Sequence, residues 1–371
     1  MQNEQSEYQM DTPQNRKNIK NITPHSRYYP QLDFVKGLAI ICVILLHSVP
    51  IVIQKNGFGQ FYLQSAIPVF FIVIGITTVL SFEKISASVQ SLSARLRIYY
   101  SGRFKRLILP FLLIFFIDLL YTFKGAIHIG WYNLIGVLPI PGAGNYFISM
   151  VFQFIVIAPI LFYFYKKSPD ALLIGMFSIG IVFQGIAPFI DNPNFYPPLA
   201  YCVLSYFAPI ALGFYIAGDF LKKEHINLRD KKNLFIVFFL PVSIFFLLLD
   251  SFWDLPFWGI QNVIVSFYPL VLFVLIVNNY KAIPISDFVK IKINFIGKAS
   301  YHIYLIQMLW FGFSFPFSKV YSGDNYFLGV SINTIFDLII TISIGIAFFT
   351  IEQVFYSYLD RKKKIHNVSE E

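Results

Sequence analysis

Charge is what this sequence has least of. Only 13% of its residues are Asp, Glu, Lys or Arg, against 56% hydrophobic, whereas soluble domains are nearer a quarter charged. That scarcity excludes an ordinary soluble domain. Cysteine is almost missing too: Cys42 and Cys202 each sit inside an apolar run, which supports neither a disulfide framework nor a Cys-based metal site. No fixed-period repeat is found, and no pair of interrupted helices recurs in the two halves, the usual mark of an inverted-repeat transporter. His128, His225, His302 and His366 have no zinc-ligand spacing, so no metal is expected. The first 30 residues hold no short apolar segment with a small-residue cleavage site, so the first apolar run is expected to remain as an anchor.

What is abundant is apolar sequence in long runs. A spanning helix needs roughly 20 mostly apolar residues, and ten such runs fit: 34–54, 61–81, 107–123, 145–165, 171–190, 199–219, 233–250, 256–277, 295–315 and 328–356. The expectation is an all-α, polytopic membrane bundle of about ten transmembrane helices. It forms one membrane domain, 32–358, between polar tails at 1–31 and 359–371, with the lipid bilayer as its first partner. The net charge of +9 resides in short connections and not on a soluble face, so nucleic acid is not an expected partner. Lys and Arg crowd the N-terminal tail, 82–106, Lys166 and Lys167, the KKEHINLRDKK loop, 278–298 and the C-terminal RKKK. Only Lys55, Lys124 and Lys319 fall on the opposite side, with Lys36 inside the first span. That bias makes both termini cytoplasmic. Asn21 and Asn367 stand in glycosylation sequons but on the cytoplasmic side, so no glycan is expected there. The aromatic wealth, 43 Phe and 23 Tyr, reads as lipid-facing and interfacial filling.

Against this background ionisable groups inside spans stand out. In LDFVKGLAIICVILLHS, 32–48, Asp33, Lys36 and His47 are set into a membrane-grade run. Eleven residues are about three turns, so Lys36 and His47 share a face, about 16 Å apart. Lys36 and Asp33 have two readings: an anchor whose long cationic side chain snorkels to the headgroups, or a functional pair. A buried His47 is either hydrogen-bonded to a neighbouring helix or chemically used. Neutral imidazole, with an ordinary pKa of about 6.5, can accept a proton from a hydroxyl, as acyl transfer requires. Asp118 in the third span matches His47 in depth and is its candidate partner; Glu352 in the last span matches Lys36. Residues 84–98 set Ile85, Val89, Leu92 and Leu96 at helical spacing, as in a helix on the inner membrane surface. Arg103 and Arg106 share a face beyond it. They serve either as anchors to anionic lipid or as a phosphate clamp. The glycines of PIPGAGN, 139–145, lack the strand and helix context of a phosphate loop.

These segments resemble the acyltransferase 3 family of membrane acyltransferases. KGLAIICVILLH, 36–47, looks like the family's first-helix signature, a basic residue eleven positions before a His. IPVFFIVIGIT at 67–77 resembles its second-helix FF-x-x-S-G pattern, and RFKRLILPFLL at 103–113 its R-x-x-R segment before a proline-marked third helix. NYFISMVFQFIVIAPIL at 145–161, FAPIALGFYIAG at 207–218, GKASYHIYLIQ at 297–307 and IEQVFYSYL at 351–359 are similar to later segments. Three departures stand out: Lys36 for the usual Arg, Ile74 for a frequent Ser, and Gln307 where the family often has His. The resemblance implies transfer of an acyl group, acetyl first, from cytoplasmic acyl-CoA to a hydroxyl of a surface glycan in a bacterial cytoplasmic membrane. It implies His47 as general base, for which Asp118 is the partner suggested by depth alone, with Arg103, Arg106 and Lys36 holding the coenzyme. The alternative is an exporter of polysaccharide or of an acyl intermediate.

The topology is checked with single cysteines, after replacing Cys42 and Cys202. Cysteines at Gly57, Asn194 and Asp324 should react with an impermeant thiol reagent in intact cells, and ones at Ser88, Asn227 and Ser286 should not. A reversed response at any loop refutes the ten-span arrangement.

Overall fold

The computed structural model describes residues 28–122, 130–140, 142–190, 201–223, 225–252, 263–313 and 326–369, and among these there is no strand. The expected loop at 191–198, together with Lys124, His128, Lys319 and Asp324, lies outside the described residues, as do residues 1–27. Thirteen α-helices order the described chain: α1 Pro30–Ser48, α2 Ile51–Asn56, α3 Ala66–Ser88, α4 Leu92–Arg103, α5 Leu109–Thr122, α6 Tyr146–Lys167, α7 Pro169–Ile190, α8 Phe207–Lys223, α9 Leu234–Phe252, α10 Phe267–Asn279, α11 Asp287–Lys298, α12 Ser300–Gly312 and α13 Tyr326–Ser369.

Seven segments of the described residues are long and apolar enough to cross a membrane, those built on α1, α3, α6, α7, α8, α9 and α13. The protein is therefore a multi-pass, all-α membrane bundle. The other three expected spans, 107–123, 256–277 and 295–315, hold the shorter helices α5, α10 and α12. The last is short because α11 ends at Lys298 and the chain restarts at Ser300 after Ala299, whose N–H bonds back to Phe295 O and Gly297 O. At the other extreme, α13 continues as one helix past the expected tail boundary at 359.

Local signals account for the helix ends. Pro30 opens α1, where a missing N–H costs nothing, and Asp33 lies in the first turn, favoured by the helix dipole. Ser286 caps α11 by accepting from Val289 N, with Asp287 in its first turn and Lys298 in its last. The amphipathic helix expected at 84–98 is not continuous. The apolar run of α3 carries on to Ser88, Val89 is extended, and a new helix begins at Leu92.

Between apolar helices in lipid there is little hydrophobic gain, so association depends on close backbone approach at small residues. At the centre α3 crosses α8, where a Cβ on Gly75 would lie 2.5 Å from Ile210 O and one on Gly213 2.2 Å from Ile72 O. A second crossing binds α1 to α11: a Cβ on Gly297 would lie 1.7 Å from Asp33 O, and one on Gly37 2.2 Å from Ile293 O. Not all rings face lipid. Phe71 stacks on Tyr206 at 4.3 Å, and Phe82 packs between Tyr99 and Phe162. The outer faces of α7, α9 and α13 do present Ile, Val and Phe to the surroundings.

Gly297→Ala tests the second crossing. Overpacking of this kind costs about 1–3 kcal/mol, so the detergent-purified variant should melt several degrees lower. Gly175→Ala, at a position with nothing within 4 Å, should melt like the parent.

Candidate functional site

The α1–α11 crossing positions the first half of the site. With no Cβ at Gly37 or Gly297, Asp33 and Lys36 lie one turn apart at the end of α1 near Lys298, which closes α11. Lys36 Nζ meets Asp33 Oδ1 at 2.6 Å, and Lys298 lies over the Tyr28 ring, 4.6 Å from its centre. Lys36 therefore pairs with Asp33 and not with Glu352, the group of matching depth.

Arg103 closes α4, and Arg106 sits on the π-helical segment that follows it, Phe104–Ile108, before α5. Pro110 has no N–H to return to the carbonyls of this turn, which removes a rung of the α ladder. Tyrosines from other helices bond carbonyls here: Tyr356 Oη donates to Lys105 O at 3.1 Å and Tyr301 Oη to Leu107 O at 2.6 Å. These bonds tie the segment to α12 and α13. Arg103 donates to Ser81 Oγ at 3.4 Å and lies 5.2 Å from the centre of the Tyr99 ring. Arg106 has no hydrogen bond or ion pair among the described residues.

Lys36, Arg103, Arg106 and Lys298 all line a cavity of about 650 Å³. One wall is a face of α3. It runs from Ser81, the contact of Arg103, to Phe70, which packs on Phe147. Eleven residues on one helix make that about 16 Å. The cavity is thus cationic at one end and, at the other, bounded by Phe70, Phe147, Val151 and Tyr304. Ile74, where the resemblance leads one to expect Ser, faces into it from the middle of α3.

His302 and Glu352 also line the cavity. Nε2 of His302 lies 2.8 Å from Glu352 Oε2, while Nδ1 is buried without a partner. A carboxylate on one ring nitrogen fixes the tautomer and leaves the other for a ligand. The sequence alone left His302 aside because it fits no zinc spacing, and it matched Glu352 to the wrong group. A polar doublet, Tyr301–His302, inside an apolar helix was the available signal.

His47 occupies the last turn of α1. Gln54 Nε2 closes that end by donating to Leu46 O and Val49 O, at 2.7 and 2.6 Å. Phe311 of α12 packs edge-on to the imidazole at 6.0 Å, and Nε2 is buried with no hydrogen-bond partner. Opposite stand residues 138–140 and 142–145, around the glycines to which sequence analysis assigned no phosphate-binding role. The Asn145 side chain bridges both backbone groups of Leu138, and Ile140 N donates to Asp118 Oδ2 at 2.9 Å. Asp118 therefore anchors this loop, and no hydrogen bond joins it to His47 among the described residues. Gly142 lies so close to α12 that a Cβ would fall 1.9 Å from Met308 O. Gly144 has φ of +83°, a region that favours glycine. Its carbonyl accepts from Tyr304 Oη at 2.6 Å, and a Cβ built on it would lie 2.5 Å from that oxygen and 3.4 Å from His47 Nε2. Tyr304 belongs both to the cavity wall and to the surroundings of His47.

Residues 29–352 match the family described as "Acyltransferase domain", Acyl_transf_3. No significant match is found among curated proteins or among solved structures.

Proposed function

Because the chain belongs to the acyltransferase 3 family of membrane acyltransferases, we propose that it takes an acyl group, acetyl first, from cytoplasmic acyl-CoA and passes it to a hydroxyl of a surface glycan. The observation that carries this reading is a cavity with cations at one end and, at the other, a tyrosine that also touches the surroundings of His47. The Lys and Arg bias of the loops supports a cytoplasmic position for the cationic end, in what we take to be a bacterial cytoplasmic membrane.

In this reading Arg103 and Arg106, with Lys298, hold the phosphates of the coenzyme through charge-assisted hydrogen bonds. Lys36, paired with Asp33, supplies further positive charge without the planar fork of Arg. The pantetheine arm extends along α3 and delivers the thioester toward Tyr304. His47 Nε2 takes the proton as the acceptor oxygen attacks the acyl carbon, the C–O bond forms and the C–S bond breaks. Asp118 acts at a distance, by holding the 138–145 loop against His47. Glu352 fixes His302 at the cavity wall. Ile74 narrows the middle of the cavity and so favours a short acyl group.

His47→Gln keeps a hydrogen bond but cannot accept a proton at neutral pH. With radiolabelled acetyl-CoA and inside-out membranes, its turnover into glycan should fall by about a hundred- to ten-thousandfold. Full activity at a normal level of inserted protein refutes the base. Wild-type glycan movement without label incorporation favours the exporter.

Replacing Arg103 and Arg106 together by Gln should raise the KM for acyl-CoA. Each charge-assisted contact contributes about 1.5–3 kcal/mol, or roughly ten- to a hundredfold. Lys at both positions should rescue in part. Reduced membrane insertion with an unchanged KM identifies the pair as lipid anchors.

A further inference from the structure

Acyl transfer makes three demands on one carbonyl: a nucleophile, a base for its proton, and a donor for the oxygen that becomes negative. The reading above, on which this inference rests, supplies the first two and leaves the third unassigned. A donor must be reachable from the cavity and must stand beside His47. Tyr304 meets both conditions. It lines the cavity, and its hydroxyl and His47 Nε2 flank the same point, 2.5 and 3.4 Å from where a Cβ on Gly144 would be. The hydroxyl and the unpartnered ring nitrogen are therefore at most 5.9 Å apart, and because residue 144 is glycine no side chain from that position comes between them.

We infer that Tyr304 is a catalytic residue whose hydroxyl donates to the acyl carbonyl oxygen as the tetrahedral intermediate forms. The phenol ring is 3% exposed and packs on Phe147 at 4.7 Å, which in turn packs on Phe70 and Phe71. A ring held this way keeps its oxygen in place while the hydroxyl proton rotates from Gly144 O to the substrate. Such a fixed donor loses little to reorganisation during the reaction. The acceptor O–H adds to the acyl carbon, its proton passes to His47 Nε2, and the carbonyl π pair moves onto the oxygen facing Tyr304. That pair then re-forms C=O as the C–S bond breaks, and the thiolate departs with the bonding electrons and is protonated by water. Tyr304 returns its hydrogen bond to Gly144 O, and His47 loses its proton to solvent.

The test is Tyr304→Phe, which keeps the ring and removes the hydroxyl. Turnover should fall about a hundred- to a thousandfold, the usual loss for one such donor, with the KM for acetyl-CoA unchanged within about twofold. Two coenzyme A analogues separate this role from a structural one. One is an S-alkyl thioether without a carbonyl, and the other carries a trifluoromethyl ketone in place of the thioester, which forms a tetrahedral adduct. The variant should bind the thioether like the wild type and the ketone at least about tenfold more weakly. Equal weakening of both analogues, or of neither, overturns the assignment and leaves the Tyr304–Gly144 bond as a structural one. Failure of the wild type to bind either analogue, with no transfer from acetyl-CoA, refutes the coenzyme A reading itself and this inference with it.

Discussion

Inside a hydrocarbon layer no water is available to complete a hydrogen bond, so each buried polar group needs a partner within the protein. Most of this bundle can be understood as answers to that demand. Trp310 Nε1 finds Asp337 Oδ1, Ser243 Oγ joins Val265 O to Tyr268 N, and Gln153 bridges Tyr201 O and Val203 N. Where the helical ladder is broken next to Pro110, Tyr301 and Tyr356 reach across from other helices to nearby carbonyls. The rule gives meaning to its exceptions. Among them, within the described residues, are His47 Nε2 and His302 Nδ1, both buried without partners. A buried unmet group costs about 1–3 kcal/mol, and these two rings border the cavity or the loop packed beside it.

The second constraint is backbone proximity. The glycine crossings do more than hold helices together, because they determine which side chains meet. Contact at Gly37 and Gly297 brings the Asp33–Lys36 pair near Lys298, and contact at Gly142 lays the 138–145 loop on α12. Arg103, which closes α4, and Arg106, on the π segment at 104–108, both line the cavity. The cationic end of the site is thus assembled from α1, α11 and the segment before α5, none of which is complete without the others.

Tyr304 links the cavity to the surroundings of His47: its ring belongs to the cavity wall, and its hydroxyl donates to the carbonyl of Gly144, the residue beside His47 Nε2. In the proposed reaction a water-soluble thioester and an acceptor on the other side of the bilayer have to be kept apart until both are bound. A buried aromatic with a polar tip suits that requirement.

The sequence by itself determined the class of protein. Scarce charge and long apolar runs need no tertiary information, since each spanning helix satisfies its own backbone, and the order of its motifs carried the family. It also brought forward Lys36, His47, Arg103 and Arg106, because an ionisable group inside or beside an apolar run is visible as a departure from its neighbours. Pairing was another matter. Depth along a span suggested Asp118 for His47 and Glu352 for Lys36, yet Asp118 holds Ile140 N, Glu352 holds His302, and Lys36 holds Asp33. Depth fixes one coordinate of a residue, and partners depend on which helices are adjacent and how each is rotated. Tyr304 and Gly144 were out of reach for the same reason: 160 positions apart in the chain, they meet only when α12 packs against a loop held by Asp118 and Asn145.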